Sequence, residues 1–258
     1  MQVSSRSIPR AKKVAALLAH GGRGLTPRVT PDIRLFLPVA LHRHYWTGVH
    51  PDADLLSFLA SELRPGNTFF DVGANIGLYS ITLAKQFFNG IRVVGFEPCD
   101  STVGWLRRMI DLNGTKGVEV VPLALSRRAR DLTLSAYGDG RNNFVVDHSE
   151  ASIPTQSVHA VALDEYCATH QIFPDALKID VEGHELDVIK GGTETLRRFR
   201  PALVIECHCA SWPSSDYATE LTETLRHCGY SVLCDRTRQP IKLREAKETV
   251  HLLAPRAA

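Results

Sequence analysis

No apolar run in this 258-residue sequence approaches the ~20 residues that cross a bilayer. The apolar piece VAALLA, residues 14–19, is far too short, and no clear small-residue cleavage site follows it, so neither a membrane span nor a secretory signal is expected. Cysteine is sparse: six, at 99, 167, 207, 209, 228 and 234, with no CxxC pair and no dense framework, which points to reduced thiols in a cytoplasmic protein. Charge of one sign is lacking as well. Thirty Lys and Arg against 28 Asp and Glu leave a net +2, too little to draw the chain to nucleic acid or a membrane surface. Acids are missing only from the first 31 residues, where Arg6, Arg10, Lys12, Lys13, Arg23 and Arg28 make a basic start. That start reads as a solvated tail, with an organelle transit peptide as the alternative. Internal repeats and low-complexity segments are absent, which excludes solenoids and linker-rich arrays.

What is present is alternation. Short runs rich in Val, Ile and Phe are separated by helical-length segments, the pattern of a parallel sheet with helices on both faces. TFFDV, IRVVGFE, VEVVPLAL, ALKIDVE, ALVIEC, YSVLCD and VHLLA read as seven strands of a doubly wound, mostly parallel α/β sheet that ends in a hairpin-like pair. DLTLSAY and SVHAVAL read as added β structure around a polar loop over 138–157. Helices are expected over 77–88, over STVGWLRRMIDLNG, as one piece through ELDVIKGGTETLRRF, and over YATELTETLRHCG. With 44% hydrophobic residues the chain supports one large domain over 65–258, preceded by a basic tail and N-terminal cap over 1–64.

The chemistry-bearing residues gather at strand ends. DVGANIG, residues 71–77, is a strand that runs through Gly73, Asn75 and Gly77 into a helix, giving a tight turn and free helix amides for a ligand. It is not a dinucleotide fingerprint, because G-x-G-x-x-G would need glycine at 75 and 78, where Asn75 and Leu78 stand. Asp71, two residues before the first glycine, suits a ligand with an ammonium group, such as the methionyl part of S-adenosylmethionine. Glu97, 20 residues past Gly77 and ending the next strand, suits a carboxylate that accepts from both hydroxyls of a ribose. Asp180 and Glu206 end two more strands, so four acids share the edge where open α/β sheets bind ligands.

FFDVGANIGLYS, FEP, VPLALS, VALDEY, LKIDVEGHELDVIKGG and PALVIEC, in this order and spacing, closely resemble the FkbM family of S-adenosylmethionine-dependent methyltransferases, over about 66–207. The resemblance implies the seven-stranded class-I methyltransferase fold and methyl transfer to a hydroxyl of a small metabolite or sugar-like acceptor. It implies that Asp71, Gly73, Asn75 and Gly77, with Asp180 beside them, hold the methionyl part, that Glu97 holds the ribose, and that the segment Ala124 to Ser126 lies near the adenine. Many family members carry an acidic yE before the helix preceding the sheet, whereas this chain has GVHPDAD, in which Asp52 or Asp54 is only a loose counterpart.

A hydroxyl is a poor nucleophile at neutral pH, so its proton must go somewhere. Two solutions stay open: a general base, His184 first and His208 second, or a divalent ion, with Mg²⁺ favoured by the hard oxygens of Asp180, Glu182 and Glu206. The plain alternatives are that Asp180 and Glu182 pair with Lys178 on one strand face, and that Glu185 serves the first turn of the next helix. Cys207, His208 and Cys209 lack zinc spacing and alternate in side-chain direction. Tyr45 and Trp46 are candidates for cap walls, the loop around 138–144 for an acceptor lid, and Trp212 for an acceptor-facing edge. The partners expected are a hydroxylated small molecule and at most a second copy of the chain as a homodimer. Competing functions are N- or C-methylation, including of a nucleic acid held by the basic tail, a non-catalytic nucleoside-binding module, and NAD-linked redox chemistry.

Overall fold

Five runs of β-prone residues line up as a parallel sheet because both of their faces are apolar and covered. In the computed structural model, which describes residues 28–30, 33–34, 52–136, 144–146, 154–214, 216–246 and 248–255, the elements are as follows. β1 (Arg28–Thr30) and β2 (Ile33–Arg34) form a short antiparallel pair. Then come α1 (Ala53–Glu62), β3 (Thr68–Val72), α2 (Leu78–Gln86), β4 (Arg92–Phe96), α3 (Asp100–Asn113), β5 (Val118–Val121), β6 (Ala124–Ser126), β7 (Arg130–Ser135) and β8 (Thr155–Ala162). The chain continues through α4 (Leu163–His170), β9 (Ala176–Ile179), α5 (Glu185–Lys190), α6 (Thr193–Phe199), β10 (Ala202–Cys207), α7 (Tyr217–His227) and β11 (Val250–Ala254).

The main sheet has the order β11-β10-β9-β3-β4-β5, with only β11 antiparallel to its neighbour. Period-two alternation sorts its residues between two cores. Phe69, Val93 and Val204 face α1 and α2, whereas Phe70, Phe96 and Ile205 face α4, α5 and α7. Phe96 stacks edge-on against both Phe70 (5.4 Å) and Tyr166 (4.8 Å). Five residues of the α1 segment, Leu55, Leu56, Phe58, Leu59 and Leu63, are buried in the first of these cores. No helix among the described residues is long and apolar enough to cross a membrane.

Three sequence expectations are corrected. The third strand is cut at Pro122: β5 stays in the main sheet, while β6 leaves it to pair with β8 in a separate β6-β8-β7 sheet. Proline's missing N–H and fixed φ suit that change of sheet. The sixth strand, over 230–235, is reduced to isolated bridges of Cys234, which exchanges hydrogen bonds of 2.9 and 2.7 Å with Leu253. The ladder stops because the Asp235 carboxylate accepts the Thr237 and Gln239 amides (2.8 and 3.1 Å), closing a tight turn ahead of Pro240.

The expected single helix from Glu185 to Phe199 is two, α5 and α6, broken at Gly191 and Gly192. The break is a close approach: a Cβ on Gly191 would lie 2.0 Å from the Ser126 carbonyl oxygen of β6. Asp164 then caps α6, accepting the Glu194 and Thr195 amides at 3.0 and 2.7 Å. Gly191→Ala is expected to push β6 off α5 at a cost of about 1–3 kcal/mol, the range for overpacking. Thermal unfolding checks this, and an unchanged midpoint would refute the contact.

Candidate active site

Ligands of open α/β sheets sit beyond the carboxyl ends of the strands where strand order reverses, here between β3 and β4 on one side and β9 on the other. The loop leaving β3 is shaped for that place. Gly73 has φ 74°, and a Cβ there would stand 1.9 Å from the Asp180 carbonyl oxygen, so only glycine lets the loop lie against the end of β9. The Gly73 and Ala74 amides both bond the Phe96 carbonyl (3.0 and 2.9 Å), which aligns the loop with the end of β4. Glu97 sits there, 7% exposed, accepting the Asn75 amide on one oxygen and the Cys99 amide on the other, each at 3.0 Å. Burial pushes its carboxyl up to about 7 against the pull of those two amides.

These groups open on a common cleft at the carboxyl ends of the strands. Gly73, Asn75, Glu97, Asp180, Glu182 and His184 line it, with an apolar wall of Phe96, Leu125, Leu132, Leu134 and Val145. An acid between backbone amides, a glycine cradle that a Cβ would fill, and an adjoining apolar slot fit a ligand with a ribose, a flat base and a polar tail.

Not every expected contact reaches the cleft. Asp71 is fully buried behind the loop, where one oxygen accepts the Ser80 amide (3.1 Å) and hydroxyl (2.7 Å). Its other oxygen has no hydrogen-bond partner and lies 3.6 Å from the Lys178 ammonium. Gly77 caps α2 and faces Leu106, not the cleft. Ala124 and Leu125 are in the wall, but Ser126 stands behind it, 3.0 Å from His184 Nε2.

Lys178 is the residue whose role the sequence reading underrated. Buried in the middle of β9, it donates to the Gly73 carbonyl (3.0 Å) and to Asp180 (3.1 Å), and it lies over the Tyr79 ring. Burial opposes its charge, yet Asp180 and Asp71 raise its affinity for the proton. The pairing of Lys178 with Asp180, read from strand period as the plain alternative, is thus real, and Asp180 lines the cleft all the same. Burial pushes the Asp180 carboxyl up, with Lys178 opposing.

The two histidines part company. Burial holds His184 below its ordinary value, so its ring is neutral near pH 7; Asp187 opposes at 3.6 Å from Nδ1. A neutral imidazole on the cleft wall is equipped to take a proton. His208 is outside the cleft lining, with Nδ1 2.9 Å from Glu185 and Nε2 3.3 Å from Glu182. Asp180 and Glu206 each lie 3.8 Å from the same Nε2. Burial alone would lower its pKa, but Glu185, Glu182 and Asp180 raise it to about 9, which makes it a poor base. Glu206 turns to His251, 3.4 Å away, and does not line the cleft. Among the described residues, the set that offers metal-ligand atoms within 4.8 Å of one another is Asp180, Glu182 and His208, with histidine where Glu206 was expected.

Asp52 and Asp54 both pair with Arg236. Trp212 stacks on Tyr217 and bonds Glu185. Tyr45, Trp46, residues 1–27 of the basic start and loop residues 138–143 lie outside the described residues.

Comparison with known proteins places this geometry in a family. The family model for the methyltransferase FkbM domain matches residues 71–232, more than half of the chain. The chain is 27% identical over 166 residues to the hexuronic acid methyltransferase AglP of Haloferax volcanii, covering 63% of this chain and 64% of that protein. It is 26% identical over 196 residues to Methyltransferase 1 of Beauveria bassiana, covering 67% and 76%. In fold it is similar to the crystal structure of methyltransferase FkbM from Methylobacillus flagellatus KT, with a TM-score of 0.52, 18% identity, and coverage of 94% of this chain and 59% of that one. It therefore spans less than two thirds of the length of the Haloferax and Methylobacillus proteins. On the family match, and with the glycine loop, the strand-end acids and the doubly wound sheet in agreement with it, the chain belongs to the FkbM methyltransferase family.

Proposed function

We propose that the protein transfers a methyl group from S-adenosylmethionine to a hydroxyl of a small, sugar-like acceptor. The observation that carries the cofactor is the buried Glu97 carboxylate at the cleft, beside the Gly73–Asn75 loop and the apolar wall. In this reading Glu97 accepts from the ribose hydroxyls, Leu125 and Phe96 flank the base, and Gly73 with Asp180 meets the methionyl end. When bound, S-adenosylmethionine supplies a methyl carbon made electrophilic by its sulfonium sulfur. His184 is the base that would take the acceptor's proton, with its ring held by the Ser126 hydroxyl 3.0 Å from Nε2 and by Asp187 3.6 Å from Nδ1. The sugar-like acceptor is supported by the name of the Haloferax relative.

The test is incubation with labelled S-adenosylmethionine and a panel of neutral-sugar and uronic-acid glycosides, read by mass spectrometry as a gain of one methyl. His184→Gln is expected to lower kcat by about 10²–10⁴-fold, the usual worth of a general base, with cofactor affinity unchanged. A gain on nitrogen or carbon would replace the oxygen reading. A second reading, a divalent ion on Asp180, Glu182 and His208, rests on their 4.8 Å grouping and requires that EDTA abolish turnover.

A further inference from the structure

Glu185 opens α5, where a carboxylate ordinarily faces water and favours the helix dipole. Here it is fully buried, and donors from separate parts of the chain converge on it. The Gly183 amide and His208 Nδ1 each lie 2.9 Å from Oε1, and Trp212 Nε1 lies 3.3 Å from Oε2. The Tyr217 hydroxyl accepts the Leu186 amide at 2.7 Å and shares its proton between Oε2 (3.3 Å) and the Gly183 carbonyl (3.0 Å). Burying a carboxylate is costly, and neither a lysine nor an arginine offsets this one among its bonded partners. Burial raises its pKa, yet the His208 and Gly183 bonds outweigh that and keep it charged.

What this hub holds is a strained turn. Glu182 has φ 52°, a left-handed conformation that costs a non-glycine residue on the order of 1 kcal/mol or more. Gly183 follows at φ 101°, packed so that a Cβ would meet Ser211 at 3.1 Å. Glu182 lines the cleft, and its carboxylate is 3.3 Å from the far nitrogen of the same His208 that Glu185 grips. The chain Glu185, His208, Glu182 thus runs from the core to the cleft wall, beside Asp180.

We propose that Glu185 is a positioning residue: through the Gly183 amide and His208 it fixes the strained turn at 182–183 so that the Glu182 carboxylate is presented to the acceptor end of the cleft. Glu182 is then the group that orients the acceptor hydroxyls, next to the base His184. Only the kinetic part of the test rests on the methyl-transfer reading.

Amide hydrogen exchange and calorimetry are compared for the full chain, Glu185→Gln, His208→Gln and the double variant. Each single variant is expected to quicken exchange over 181–184 about tenfold while the amides of β3 and β9 hold, and the double variant to add little, because both act on one turn. Affinity for S-adenosylmethionine is expected to stay within about threefold, while KM for the glycoside of the panel that serves as acceptor rises about tenfold. Exchange that quickens equally across the sheet, or a turn left unchanged, overturns the proposal. Cofactor affinity falling in step with the acceptor overturns it too, as does tight Mn²⁺ binding that His208→Gln removes, since His208 would then be a ligand. If the wild type methylates nothing on the panel, the functional reading fails by itself and the exchange pattern still decides the role of Glu185.

Discussion

Glu97→Ala is expected to weaken S-adenosylmethionine binding about 100-fold or more, measured by calorimetry. The carboxylate would accept two charge-assisted hydrogen bonds from a ribose, worth about 1.5–3 kcal/mol each, and each 1.4 kcal/mol is tenfold in affinity. Alanine also strands the Asn75 and Cys99 amides that Glu97 now accepts. A second signature needs no ligand. With its carboxyl raised by burial from 4.5 to about 7, the folded protein holds a proton that the unfolded chain has already lost. The contribution of this group to stability is therefore greatest below about pH 4.5 and declines as pH rises to about 7, by up to about 3 kcal/mol. His208, raised from 6.5 to about 9, contributes stability that is complete below 6.5 and is lost as pH rises through about 9. The two windows overlap only between about 6.5 and about 7, so Glu97→Gln flattens the lower decline and leaves the upper one. A wild-type stability that stays level between pH 5 and 7, or cofactor binding that survives Glu97→Ala in a folded protein, would remove Glu97 from the site.

The alternation of apolar runs with helical segments was enough to place the main sheet and its ligand edge, because parallel strands buried on both faces leave an unmistakable pattern. That Glu97, Asp180 and Glu182 line a cleft at that edge was legible for the same reason: polar residues at the ends of such runs have little structural excuse. The departures have non-local causes. Nothing near Gly191 in the chain reveals that Ser126, 65 residues earlier, lies against it, so two helices read as one. Asp71 looked like a cofactor ligand because of its place before Gly73. Register pairs it instead with Lys178 on the neighbouring strand, and Ser80 of α2 takes its other oxygen. Glu185 read as an ordinary acid of a first turn, since its partners His208, Trp212 and Tyr217 arrive from the far end of β10, the turn beyond it and α7. Spacing finds the edge of a sheet; it does not find which side chains behind that edge hold the others.

Lys178→Met is expected to be among the most damaging single changes at the site, because one ammonium serves three groups. It lies 3.6 Å from the otherwise unbonded oxygen of Asp71, 3.1 Å from Asp180 and 3.0 Å from the Gly73 carbonyl, and it is 5% exposed. Methionine fills similar space but leaves both carboxylates without their cation. Removing one partner of a buried ion pair costs about 3–5 kcal/mol, a large part of the 5–15 kcal/mol typical of a whole domain. At about 2–4 °C per kcal/mol for a chain of this size, the midpoint of thermal unfolding falls by about 10 °C. Arginine does not substitute, since its planar fork cannot place one charge on three partners converging within a strand. If the loss is electrostatic, neutralising a stranded partner recovers part of it: Lys178→Met with Asp71→Asn is expected to be more stable than Lys178→Met alone, although Asp71→Asn in the wild type destabilises. If the loss is merely poorer packing, the two changes add. S-adenosylmethionine affinity reports on the third partner, because without Lys178 the Gly73 carbonyl loses its donor and the loop its tie to β9; the double variant is expected to regain stability without regaining the cofactor.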